Sequence, residues 1–213
     1  MRFRPFDAYR LYLVTDRGLC LGRDLLDVVF RSVEGGVSVV QLREKHADTR
    51  EFLAIAKRLT AELQPRGIPV MINDRVDIAL ASGAAGVHLG QSDMPVADAR
   101  AILGPDAIIG LSVESEGDIR EGLALPVQYL AVSPVFGTPT KTDTARPWGL
   151  EGLARARSLC PGIPLVAIGG INEHTAGDAV RAGADSLAVV SAICSAPSPA
   201  EAARRIIKAG WGG

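Results

Sequence analysis

Two cations spaced two residues apart, Arg43 and Lys45, end the run Gln41-Leu42-Arg43-Glu44-Lys45. A guanidinium fork, an ammonium and an amide in so short a space can hold a polyanion such as a diphosphate. Alternation along a strand sends Gln41 and Arg43 to the same side, toward one ligand. The competing reading is a solvated charge run that opens a helix. Further on, Asn73-Asp74 and Asp93 place two carboxylates just past two successive apolar runs. Carboxylates converging from neighbouring strands suit a hard cation, and Mg²⁺ fits best because it takes few protein oxygens, keeps several waters and is completed by substrate phosphate. Either aspartate alone would read as a cap on the helix that starts near Val76 or Pro95; the pair favours a metal.

Two more segments carry chemistry. Ser133-Pro134-Val135-Phe136-Gly137-Thr138-Pro139-Thr140-Lys141 is rich in hydroxyls, restricted by proline and ends in a cation. Irregular stretches of this length in a compact domain tend to be functional, and this one reads as a substrate loop. Ile168-Gly169-Gly170-Ile171 and Val190-Ser191 could receive a phosphate on backbone N–H groups, which glycine allows an oxyanion to approach closely. No histidine takes a catalytic role in this reading: His88 lies within a strand as a hydrogen-bonded interior residue, and His46 and His174 belong to helix starts. Cys20, Cys160 and Cys194 are widely spaced, without metal-ligand spacing, and read as reduced.

The elements that must position these residues repeat one unit eight times. Strands are expected at 10–15, 37–42, 69–72, 86–89, 107–112, 129–132, 165–168 and 186–190. Helices are expected at 25–34, 49–63, 76–81, 95–102, 116–124, 150–159, 175–182 and 199–209. Runs such as VSVVQL and SLAVVS are almost wholly apolar, as in parallel strands covered on both faces. Glycine-containing phrases at Gly35-Gly36, Gly83 and Gly183 end helices and turn the chain into the next strand. An open doubly wound sheet is the alternative, but eight small units in succession close more naturally into a (β/α)8 TIM barrel, an α/β fold formed here as one catalytic domain over residues 1–213. Polar residues collect after the strands rather than before them. In a barrel those positions surround one opening, where this fold places its active site.

Composition narrows the function. Hydrophobic residues at 47% and charged residues at 22% give a chain able to bury a core. With 23 Lys plus Arg against 24 Asp plus Glu there is no basic field to gather nucleic acid or anionic membrane, so any anion site is local. The N-terminus lacks the apolar stretch of a signal peptide and no apolar run approaches a membrane span, which makes the cytoplasm the expected location.

QLREK, NDR, HLGQSD, SPVFGTPTKTDT, IGGI and VVSAI, in this order across nearly the whole chain, resemble thiamine-phosphate synthase. The resemblance implies a transferase that joins 4-amino-2-methyl-5-pyrimidinylmethyl diphosphate to a thiazole phosphate, giving thiamine phosphate and diphosphate. It implies that Gln41, Leu42, Arg43, Glu44, Lys45, Asn73, Ser112 and Lys141 contact the pyrimidine diphosphate and that Asp74 and Asp93 hold Mg²⁺. Thr138, Pro139 and Thr140 would meet the thiazole phosphate, with its phosphoryl group on Gly170, Val190 and Ser191. Arg43, Lys45 and Lys141 would carry catalysis by neutralising the departing diphosphate. The related thiazole tautomerases commonly place a histidine two positions after the serine of the fifth strand, where this chain has Glu114. That departure and the intact metal pair favour the synthase. A non-catalytic sensor of thiamine precursors would not need the whole charged set.

Overall fold

Eight runs of four to six residues, each with side chains alternating between two apolar environments, form the strands β1 (Leu11–Val14), β2 (Val39–Leu42), β3 (Val70–Asn73), β4 (Gly86–Leu89), β5 (Ile108–Val113), β6 (Tyr129–Val132), β7 (Leu165–Ile168) and β8 (Ser186–Val189). In the computed structural model, which describes residues 5–137 and 146–212, they pair in parallel and in sequence order, and β8 closes onto β1. The helices are α1 (Leu25–Glu34), α2 (Thr49–Leu63), α3 (Val76–Ser82), α4 (Val96–Leu103), α5 (Glu116–Leu123), α6 (Gly149–Leu159), α7 (Ala176–Arg181), α8 (Ser191–Cys194) and α9 (Pro199–Trp211). The expected barrel is the observed one. The observed strands are trimmed at Arg10, Thr15, Val37, Ser38, Pro69, Ala107 and Val190 and extended to Asn73 and Val113. The short helix α8, between the last expected strand and the last expected helix, is additional.

Period-two alternation divides each strand between two cores. Leu11, Leu13, Val40, Leu42, Ile72, Val87, Leu89, Ile109 and Leu111 face outward into a layer completed by Leu26, Val29, Phe52, Leu59, Ile119 and Leu153 of the helices. Tyr12, Val14, Val39, Met71, Ile108, Tyr129, Ala131, Val166 and Ala188 form a separate cluster inside the barrel. Each large aliphatic side chain buried in this way contributes roughly 1.5–3 kcal/mol. Helix starts are fixed by side-chain caps: Asp24 accepts from the Asp27 amide at 3.0 Å, Asp48 from Glu51 at 2.8 Å, and Ser115 with Asp118 forms a capping box on α5.

The end of the barrel opposite the functional loops is plugged by aromatics. Phe6 stacks on Tyr129 with ring centroids 3.9 Å apart, and Tyr12 meets Tyr129 edge-on at 6.0 Å. Gly110 of β5 makes this possible, since a Cβ there would lie 1.9 Å from Cζ of Tyr129. Gly110→Ala is therefore expected to cost about 3 kcal/mol through overpacking, read as a lowered urea midpoint at unchanged m-value. A variant as stable as the parent would show that the plug repacks freely.

Candidate active site

At the C-terminal ends of the strands the barrel opens into a cavity of about 850 Å³. Its floor is built from inward-facing strand residues, Tyr12, Gln41, His88, Ser112 and Val166, and its rim from the residues just beyond them. Gln41, Arg43, Lys45, Asn73, Asp74, Asp93, Ser112, Gly170, Val190 and Ser191 all line it, so residues spread over 150 positions of sequence share one opening.

Leu42 and Glu44 of the expected diphosphate-binding run do not reach the cavity. Leu42 is fully buried in the outer core, because the alternation that brings Gln41 and Arg43 inward sends their common neighbour toward the helices. Glu44 turns away to an ion pair with Arg17 at 3.3 Å, its side chain only 5% exposed. Thr138, Pro139, Thr140 and Lys141 lie outside the described residues. Conversely, Tyr12, Gln91, Asn172 and His88 line the cavity although their local sequence assigns them no role there, and Ser133, which opens the expected substrate loop, and Glu114 line it as well. Tyr12 shares its strand face with Val14, a parity legible in the sequence, but nothing local shows that this face turns inward.

The cationic and acidic groups on the β1–β4 side of the rim are held in a defined pattern. Arg43 Nη1 lies 3.2 Å from Asp16 Oδ2, and Lys45 Nζ 3.3 Å from Asp74 Oδ2. Burial, reinforced by the neighbouring Asp93 carboxyl, raises the Asp74 pKa from its ordinary value. Asp74 has φ 63°, a left-handed conformation that non-glycine residues seldom adopt and that is concentrated at functional sites. Neither aspartate caps a helix. The N-caps of α3 and α4 are Arg75 and Pro95, without side-chain caps, and Asp93 instead accepts from the Gly90 amide at 2.6 Å. The cap reading is thus removed for both.

These two facing carboxylates fit a hard divalent cation, which would relieve their repulsion. Among the described residues no group of three or more His, Cys, Asp or Glu is disposed to hold a metal. A cation here would accordingly have few protein ligands and take the remainder from water and substrate oxygens, the habit of Mg²⁺.

Across the opening, the ends of β7 and β8 present backbone rather than charged side chains to the cavity. Gly169 and Gly170 have φ 100° and 66°, and a Cβ on Gly170 would come within 2.6 Å of Cβ of Phe136. Only glycine lets this turn lie so close to the Pro134–Phe136 segment, whose Val135 and Phe136 amides donate to Ile168 and Gly169 at 2.8 and 3.0 Å. Helix α8 begins at Ser191, so its first amides have no intrahelical acceptors. Arg23 anchors its far end by donating to the carbonyls of Cys194 and Ala196, both at 2.6 Å.

Fold and site together define a (β/α)8-barrel enzyme for phosphate-bearing small molecules. A profile of thiamine monophosphate synthase matches residues 11–193. The chain is 58% identical over 199 residues to a thiamine-phosphate synthase of Albidiferax ferrireducens, covering 93% of this chain and 90% of that one. It is 50% identical to a thiamine-phosphate synthase of Vibrio parahaemolyticus, covering 94% and 98%. Among solved structures, thiamine phosphate pyrophosphorylase from Pyrococcus furiosus superimposes with a TM-score of 0.87 at 37% identity over 96% of each chain. A 3-hexulose-6-phosphate synthase, at 19% identity and a TM-score of 0.69 over 94% of this chain and 99% of its own, shares the fold alone. The chain belongs to the thiamine monophosphate synthase family.

Proposed function

We propose that this chain, as one catalytic domain, transfers the aminopyrimidinylmethyl group of 4-amino-2-methyl-5-pyrimidinylmethyl diphosphate to the ring nitrogen of a thiazole phosphate, releasing thiamine phosphate and diphosphate. The observation that carries this reading is that one cavity of about 850 Å³ is lined by Arg43, Lys45, Asp74 and Asp93 and also by Gly169, Gly170, Val190 and Ser191. The β2–β4 side, with Arg43, Lys45 and the Asp74/Asp93 pair, suits a diphosphate that must depart. The glycine turn after β7 and the start of α8 suit a phosphate that remains attached and only positions its substrate. Bound Mg²⁺ on Asp74 and Asp93 would supply additional positive charge to the diphosphate.

In this reaction the carbon–oxygen bond to diphosphate breaks, the electron-rich aminopyrimidine supports positive charge on the methylene, and the thiazole nitrogen supplies the electron pair for the new carbon–nitrogen bond. The protein is not required to provide a nucleophile. Arg43, Lys45 and Lys141 neutralise charge as it grows on the leaving group, and the β7–β8 phosphate site aligns the thiazole, so the chain contributes electrostatics and proximity. Asn73 and Ser112 hold the pyrimidine substrate. The three cysteines are buried and do not line the cavity, in keeping with chemistry that has no thiol intermediate.

Among the described residues no helix is long and apolar enough to cross a membrane. The free, buried cysteines support a cytoplasmic enzyme acting on small molecules. Purified protein mixed with both substrates and Mg²⁺ is expected to form thiamine phosphate and diphosphate in equal amounts. Unchanged substrates under these conditions would dismiss the proposed reaction, and isomerisation of a thiazole without coupling would favour a tautomerase.

A further inference from the structure

Below the phosphate-binding rim, five side chains from five strands are joined in one hydrogen-bonded row. Gln41 Nε2 donates to the Tyr12 hydroxyl at 2.8 Å, the Tyr12 and Tyr129 hydroxyls lie 2.9 Å apart, Tyr129 is 2.8 Å from His88 Nδ1, and His88 Nε2 is 2.9 Å from Ser112 Oγ. The row runs across the barrel from β2 to β5. Gln41 and Ser112, its two ends, both line the cavity, whereas Tyr129 lies beneath it.

Donor counting gives the row a direction. The Gln41 amide nitrogen can only donate, so Tyr12 accepts there and its own hydrogen must pass to Tyr129. Tyr129 has one hydrogen, which then goes to His88 Nδ1. The imidazole is thereby held with its proton on Nε2, donating to Ser112 Oγ, and the serine hydrogen remains for the cavity. Burial raises the pKa of both phenols above the ordinary value, so each keeps its hydrogen. At the other end, Gln41 Oε1 accepts from no described residue.

We propose that Tyr12, Tyr129 and His88 are positioning residues that set the polarity of the cavity floor, so that Gln41 presents an acceptor and Ser112 a donor to the substrate ring. This inference rests on the aminopyrimidine reading above and adds its specificity. An exocyclic amine donates to Gln41 Oε1, and an unprotonated ring nitrogen accepts from Ser112. A 4-oxo ring has a carbonyl in place of the amine and an N–H in place of the adjacent ring nitrogen, which opposes acceptor to acceptor and donor to donor. The enzyme is expected to discriminate against the 4-oxo pyrimidinylmethyl diphosphate by on the order of 10²-fold in kcat/KM, the effect of leaving buried polar groups mismatched.

Two measurements test this. Nitrogen-15 NMR of the ligand-free protein at neutral pH reads the tautomer of His88, the other two histidines, His46 and His174, being exposed and assignable by substitution. The Nε2–H tautomer is expected; an Nδ1–H tautomer or an imidazolium overturns the proposal. Tyr129→Phe keeps the ring against Phe6 but cuts the row. It should raise KM for the aminopyrimidine diphosphate about tenfold, leave KM for the thiazole phosphate unchanged, and reduce the amino-over-oxo preference to about tenfold. An unaltered preference, or equal changes in both KM values, overturns the proposal. If Tyr129→Phe does not fold, Tyr12→Phe, which cuts the row one link away, is held to the same outcomes. The tautomer is read without substrate, so a wild-type chain that fails to couple the two substrates would defeat the proposed reaction while leaving the polarity to be decided by the spectrum.

Discussion

Asp74→Ala and Asp93→Asn are each expected to lower kcat by about 10³-fold or more while the thermal transition stays within a few degrees of the parent, because several kcal/mol of charge stabilisation on the leaving diphosphate is lost. The choice of replacement follows from the structure. Asp93 also accepts the Gly90 amide at 2.6 Å, and asparagine preserves that acceptor while removing the charge. Asp74 has no cap to lose, and although its φ of 63° makes the position intrinsically strained, alanine adds no larger side chain. Exhaustive chelation of the parent protein should reproduce the defect, and Mg²⁺ should reverse it. Turnover that survives both chelation and Asp93→Asn would reduce the two carboxylates to structural partners of Lys45 and Gly90.

The barrel was legible in the sequence because its signals are local. Apolar runs such as Val39–Leu42 and Ser186–Val189 cannot be half-exposed, and Gly36, Gly83 and Gly183, with φ of 106°, 67° and 109°, sit where helices must turn at once into strands. Most of the rim followed, since polar residues after strands converge in any barrel. What the sequence could not show were relations that arise only on closure. The Tyr12–Tyr129 hydrogen bond joins residues 117 positions apart. Leu42 and Glu44 belong to a contiguous basic motif, yet strand alternation takes one outward and a pair with Arg17 takes the other sideways. The aspartates were ambiguous between cap and metal ligand because both roles favour the same residue just after a strand. The observed helix caps remove the first of these roles.

Arg43→Ala should lower kcat by on the order of 10²- to 10³-fold, with a much smaller rise in KM for the aminopyrimidine diphosphate, as expected for removal of one positioned donor to developing charge. Arg43 faces the cavity from just past β2, and its Nη1 is held at 3.2 Å by Asp16 Oδ2. That pairing leaves the rest of a planar, rigid fork to meet phosphate oxygens in a fixed orientation. Lysine retains the charge but has neither the fork nor the second contact, so Arg43→Lys should recover only part of the loss. Asp16→Asn tests the orientation separately. It keeps a hydrogen-bond acceptor but weakens the hold on the guanidinium, so its effect on kcat should be smaller than that of Arg43→Ala and in the same direction. If Arg43→Ala raised KM alone, Arg43 would bind ground state and transition state equally, and the charge that drives diphosphate departure would have to come from Lys45, Lys141 and the metal site.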